Sequence, residues 1–69
     1  MDPKEIFEMI IKADEKLKYA TPDRADTRAQ QARDLLAQAR DEAAAIGNGE
    51  LVEQAERRLA DLDALQAGA

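Results

Sequence analysis

Between Ala25 and Ile46, the residues Ala25, Ala29, Ala32, Leu36, Ala39, Ala43 and Ile46 recur at steps of four and three. Side chains three and four apart share one face of an α-helix, so the spacing specifies one apolar seam on one long helix. Because the seam is built mainly from alanine, neighbouring helices can approach its backbone closely. That confines the chain to helix-on-helix packing.

Start and stop signals bound this helix and place two more beside it. Thr21-Pro22-Asp23 offers a cap, a proline at the first helical position and an acid in the first turn, predicting a helix over 22–46, roughly 36 Å long at the usual rise. Gly47 suits the left-handed residue that closes a helix, and Asn48 suits the cap of the next. Upstream, Asp2-Pro3-Lys4-Glu5 carries the same kind of start signal, with Asp2 as cap and Glu5 as the capping-box acid, and predicts a helix over 3–19. Downstream, Leu51, Val52, Ala55, Leu59, Leu62 and Leu65 form the apolar face of a helix over 50–65, with Gln66 to Ala69 expected to fray. Asn-Gly also marks hairpins, but the flanking period is helical and excludes strands.

Two short connections imply antiparallel neighbours. The expected fold is therefore all-α, a single domain over 1–69 forming an up-down-up, antiparallel three-helix bundle with a long central helix. Ile6, Phe7, Ile10, Ile46, Leu51 and Val52 are expected at one end of the core. Leu17, Ala29, Leu59, Leu62 and Leu65 are expected toward the other. Helical charge pairs are expected for Glu8 with Lys12, Asp14 with Lys18, and Arg57 with Glu53 and Asp61, each worth about 0.2–0.5 kcal/mol. Arg28, at the edge of the seam, is expected to lay its stem over the open end of the core.

Composition limits stability and chemistry together. Fifteen of the apolar residues are alanine, which leaves few bulky side chains for a core, and cysteine and histidine are absent, so neither disulfides nor an ordinary zinc site staple the fold. Serine is absent too, so no conventional serine or cysteine triad exists, and the commonest general base is missing. Asp34 and Asp41 share a face of the central helix with Glu42 near, a pattern that reads as a solvated face. The expectation is no enzyme, no catalytic residue, no metal, no cofactor and no small-molecule substrate. A net charge of −5 argues against nucleic acid as a partner. No apolar run approaches a membrane span, and acids stand near the start where a signal peptide would be basic, so the expected location is cytoplasmic, away from membranes.

Ala32-Arg33-Asp34-Leu35-Leu36-Ala37-Gln38-Ala39, then Ala43, Ile46-Gly47-Asn48, Leu51, Gln54-Ala55, Leu59-Ala60 and Leu62, resembles tetratricopeptide-type helical repeats over about Arg28 to Leu65. The resemblance implies a protein-binding scaffold in which the second helix of one repeat leads through a tight turn into the next. The early glycine and closing proline of that family have no clear counterpart, and the chain holds at most one and a half repeats. Microtubule-interacting and transport domains, three-helix modules that bind helical peptides in a groove, are similar in size and alanine usage.

The functional expectation is a protein–protein interaction module that presents a helical surface to another protein. Its candidate anchors are Phe7, Ile11, Tyr19, Leu35 and Leu51, all at the margins of the expected core. Two assignments stay open: Phe7 and Ile11 complete the core against the third helix while Tyr19 packs over the Thr21-Pro22 turn, or Phe7 and Ile11 stay exposed beside Leu35 or Leu51 as a contact patch. Alternative functions are self-association across the long helix, and a small acidic regulator that masks a basic surface with Asp23, Asp26, Asp34 and Asp41.

Overall fold

Each helix boundary follows from local chemistry in the computed structural model, which describes residues 1–67. Helix α1 spans Pro3–Lys18. The Glu5 amide donates to Asp2 Oδ1 at 2.9 Å, satisfying one free donor of the first turn. This hydrogen bond holds the Asp2 carboxyl below its usual value of 3.8. A lowered folded-state pKa means the cap contributes fully above the unfolded value and is lost as pH falls through the folded one.

The second start signal works differently from expectation. Thr21 makes no side-chain capping bond; Pro22–Arg24 instead forms a single 3-10 turn, closed by the Arg24 amide donating to the Thr21 carbonyl at 2.9 Å. Helix α2 therefore spans Ala25–Ala45, shorter than the predicted 22–46. Its end is a Schellman closure: the Asn48 amide donates to the Ala43 carbonyl at 2.9 Å and the Gly47 amide to the Ala44 carbonyl at 3.1 Å, with Gly47 at φ 70°. The Leu51 amide then donates to Asn48 Oδ1 at 3.1 Å, so Asn48 caps helix α3, Gly49–Ala67. Helix α3 runs past the predicted 65; of the residues expected to fray, 68–69 lie outside the described residues. At 21 residues against 19, α2 exceeds α3 only slightly.

The fold is the antiparallel three-helix arrangement, with α1 and α3 both laid against α2 and touching each other hardly at all. The seam supplies the reason. Ala29, Ala32, Leu36, Ala39 and Ala43 are all buried, so two helices share one narrow stripe of small side chains. Ile6, Ile10 and Ala13 fill it from α1, and Leu51, Ala55 and Leu62 fill it from α3. Met9, Leu17, Leu35, Val52 and Leu59 pack partly buried around this centre. The two ends of the seam lie outside it: Ala25 is exposed, and Ile46 is 41% exposed instead of joining the core. Leu65, also expected inside, is 69% exposed because no α1 residue extends far enough to cover the last turns of α3.

Of the helical charge pairs, Arg57 with Glu53 forms, at 2.8 Å. Asp14 reaches across to α3 instead of along its own helix, accepting from Arg58 Nε at 3.1 Å. Arg33 of α2 pairs with Asp63 of α3.

Enlarging the seam at its buried centre will separate the helices: Ala39→Leu is expected to destabilise by about 1–3 kcal/mol in urea unfolding, whereas Ala44→Leu, on the exposed face, should stay within about 0.5 kcal/mol of the parent. Acidification through the folded-state pKa of Asp2 will loosen the first turn of α1. The Glu5 amide resonance should report this, and Asp2→Asn, which keeps an acceptor, should abolish its pH dependence.

Candidate groove between the first and third helices

Because α1 and α3 stand apart on α2, a groove runs between them. One ion pair sets its register. Asp14 and Arg58 lie level with each other, and Arg58 also donates from Nη1 to the Gln54 carbonyl at 3.4 Å. Counting back one turn at a time on both helices places Ile11 level with Ala55 and Phe7 level with Leu51.

On α1, residues Phe7, Ile11, Asp14 and Lys18 are spaced by four, three and four, so they share one stripe with the Asp14 carboxylate that faces α3. Phe7 is 44% exposed and Ile11 37% exposed. On α3, the matching stripe is Leu51, Gln54, Arg58, Asp61 and Leu65. The two exposed apolar side chains thus lie on the α1 flank that carries Asp14, level with the buried Leu51 and Ala55, and the Asp14–Arg58 pair joins the two helices one turn further along.

The five candidate anchors separate into distinct groups. Phe7 and Ile11 are exposed together beside Leu51, so they do not complete the core. Leu51 is 7% exposed, a buried residue and not a free anchor, because its position directly after the Asn48 cap turns it onto the seam. Leu35 is partly buried against the core. Tyr19 is 69% exposed, does not pack over the turn as expected, and lies on the opposite flank of α1 in a cleft with Lys12, Glu15, Lys16 and Arg28. There Lys18 Nζ stands 5.5 Å from its ring centroid, within cation–π range. Arg28 lines that cleft and bonds Gln31 at 3.4 Å; it does not line the open end, where Leu17, Ala20, Ala25, Ala29, Leu62 and Leu65 form a separate, mostly apolar depression edged by Asp26.

The acids of the outer face of α2 make local contacts. Arg40 donates to Asp41 at 3.3 Å, and Asp34 accepts from Gln30 at 2.9 Å. Among the described residues no group of three or more acids could hold a metal ion, and no helix is long and apolar enough to cross a membrane. Sequence reasoning missed the Asp14–Arg58 pair, for which helical spacing holds no signal because the partners belong to different helices.

Comparison of the chain with protein-family models, with curated proteins and with solved structures finds no match.

The Asp14–Arg58 pair is partly exposed, so its energy is small and its geometric role is separable from stability. In a double-mutant cycle of Asp14→Asn and Arg58→Gln, the coupling energy should be about 0.5 kcal/mol and should shrink in high salt. Amide resonances along the α1 and α3 stripes should shift in either variant.

Proposed function

We propose that this protein is a non-enzymatic interaction module that binds an amphipathic helix of a partner protein in the groove between α1 and α3. The observation that carries this reading is the pair Phe7 and Ile11, two large apolar side chains one turn apart, exposed on the flank of α1 where it makes few contacts with α3. A helix laid there meets apolar contacts at the spacing its own i, i+3 and i+4 positions supply.

Charge selects the partner. Glu50 and Asp61 stand on the α3 edge, and Arg57 on that edge is paired with Glu53. Lys4 and Lys18 mark the two ends. In a chain of net charge −5, this favours a partner helix with basic residues flanking its apolar stripe. The tetratricopeptide resemblance supports the same class of function, since there too a helix, its antiparallel partner and the next helix form a protein-binding scaffold. Self-association is the second reading, and the buried seam directs it to the groove instead of to the long helix.

The test is titration of the isotopically labelled chain with a helical peptide of about five turns, its apolar stripe of leucine flanked by lysine, against a peptide with glutamate in place of lysine. Amide shifts are expected at Phe7, Ile11, Gln54 and Arg58 with the basic peptide alone. Phe7→Ser with Ile11→Ser should weaken binding at least about tenfold without loss of helical circular dichroism. Shifts confined to other surfaces would overturn the proposal; shifts at these residues on simple concentration of the free protein would replace the partner helix by a second copy.

A further inference from the structure

The flank of α1 opposite the groove concentrates positive charge in an acidic chain. Lys12 and Lys16 stand one turn apart on α1, and Arg28 of α2 faces them across a cleft of about 430 Å³ whose remaining lining residues are Glu15 and Tyr19. Like charges at i and i+4 repel and disfavour the helix that carries them. A third cation from another helix adds to that cost. Four arginines elsewhere on this molecule stand beside carboxylates: Arg33 with Asp63, Arg40 with Asp41, Arg57 with Glu53, Arg58 with Asp14. Among the described residues, Lys12, Lys16 and Arg28 have no carboxylate within ion-pair distance, although Lys12 has Glu8 one turn away in sequence. Lys16 has no acid three or four residues away, and Asp14, two residues from each lysine, meets Arg58 on the other flank.

We infer that the Lys12–Lys16–Arg28 cleft is a binding site for a phosphate monoester group. The charge count favours phosphate over carboxylate: three cations against Glu15 leave two positive charges in excess, matching the −1.5 to −2 that a phosphate monoester carries at about neutral pH. Geometry agrees with the count. Arg28 is half-buried at the edge of the seam, so its stem is held by the α1–α2 contact while its guanidinium, engaged only by the 3.4 Å bond to Gln31, presents a planar fork. Lys12 and Lys16 supply mobile point charges from the facing helix. Tyr19, exposed at the mouth with the Lys18 ammonium near its ring, offers a hydroxyl donor and an aromatic face to the group that bears the phosphate. The neighbouring shallow depression lined by Glu50, Glu53, Gln54 and Arg57 lacks this excess, because its one cation is neutralised by Glu53.

The experiment exploits a composition accident: Tyr19 is the sole tyrosine and the chain has no tryptophan, so intrinsic fluorescence reports this cleft alone. Inorganic phosphate is titrated at constant ionic strength against chloride and acetate, and amide shifts are followed in parallel with inorganic phosphate and with phenyl phosphate. Expected is a saturable response to phosphate that acetate does not produce, with shifts centred on Lys12, Lys16, Tyr19 and Arg28. Tighter binding of phenyl phosphate would identify an aromatic ester as the source, and equal binding a free phosphate. Arg28→Gln, and Lys12→Gln with Lys16→Gln, should each weaken phosphate binding about tenfold or more. Lys12 is exposed while Lys16 and Arg28 are half-buried outside the core, and removal of the lysine repulsion should leave the ligand-free melting temperature unchanged or raised. A linear response shared with acetate, or phosphate affinity unaltered in these variants, would overturn the assignment; the groove proposal stands or falls separately, since Phe7 and Ile11 lie on the other flank.

Discussion

The close approach that alanine allows along α2 governs the rest of this molecule. A seam whose side chains are mostly single methyl groups can be covered by α1 and α3 at once, one on each side of Leu36. Small residues contribute little burial individually. The bulk must therefore come from the covering helices, and Ile6, Ile10, Leu51 and Leu62 provide it. Two helices sharing one narrow stripe are held mainly by α2 and meet each other little, the Asp14–Arg58 pair being one such contact.

That arrangement gives α1 two working flanks. Its buried stripe of Ile6, Ile10 and Ala13 faces the seam, leaving Phe7 and Ile11 on the side of α3 and Lys12 and Lys16 on the side of α2. One flank is apolar and edged by carboxylates; the other is cationic with an aromatic mouth. A sixteen-residue helix thus separates two surfaces of opposite chemistry by less than its own diameter. The Asp14–Arg58 pair joins α1 to α3 on the flank away from these lysines.

Legibility from sequence tracks how local each cause is. The Asp2 cap, the Gly47 closure and the Asn48 cap each depend on a few adjacent residues, and each is present as read. Thr21-Pro22 had the composition of a cap, yet its side chain makes no such bond, because the chain first completes a 3-10 turn before the α-helical ladder begins at Ala25. Phe7, Ile46 and Leu65 have the hydrophobicity of core residues and stand outside it. Their exposure depends on which helix passes over each site. Leu51, expected at the end of the core and also among the marginal anchors, is turned inward by the register that follows the Asn48 cap.

The sequence by itself determined the all-helical class, the two turns, and the seam as the shared contact face, since propensity, capping and periodicity act within one turn of chain. Only the tertiary structure decided that α1 and α3 stand apart, that Asp14 leaves its own helix to meet Arg58, and that Arg28 joins Lys12 and Lys16 across a cleft. These are distances between residues as many as 44 positions apart along the chain. They follow from how closely the helix axes approach, which is set by the side-chain volumes of three helices packed together and by no single segment of the sequence.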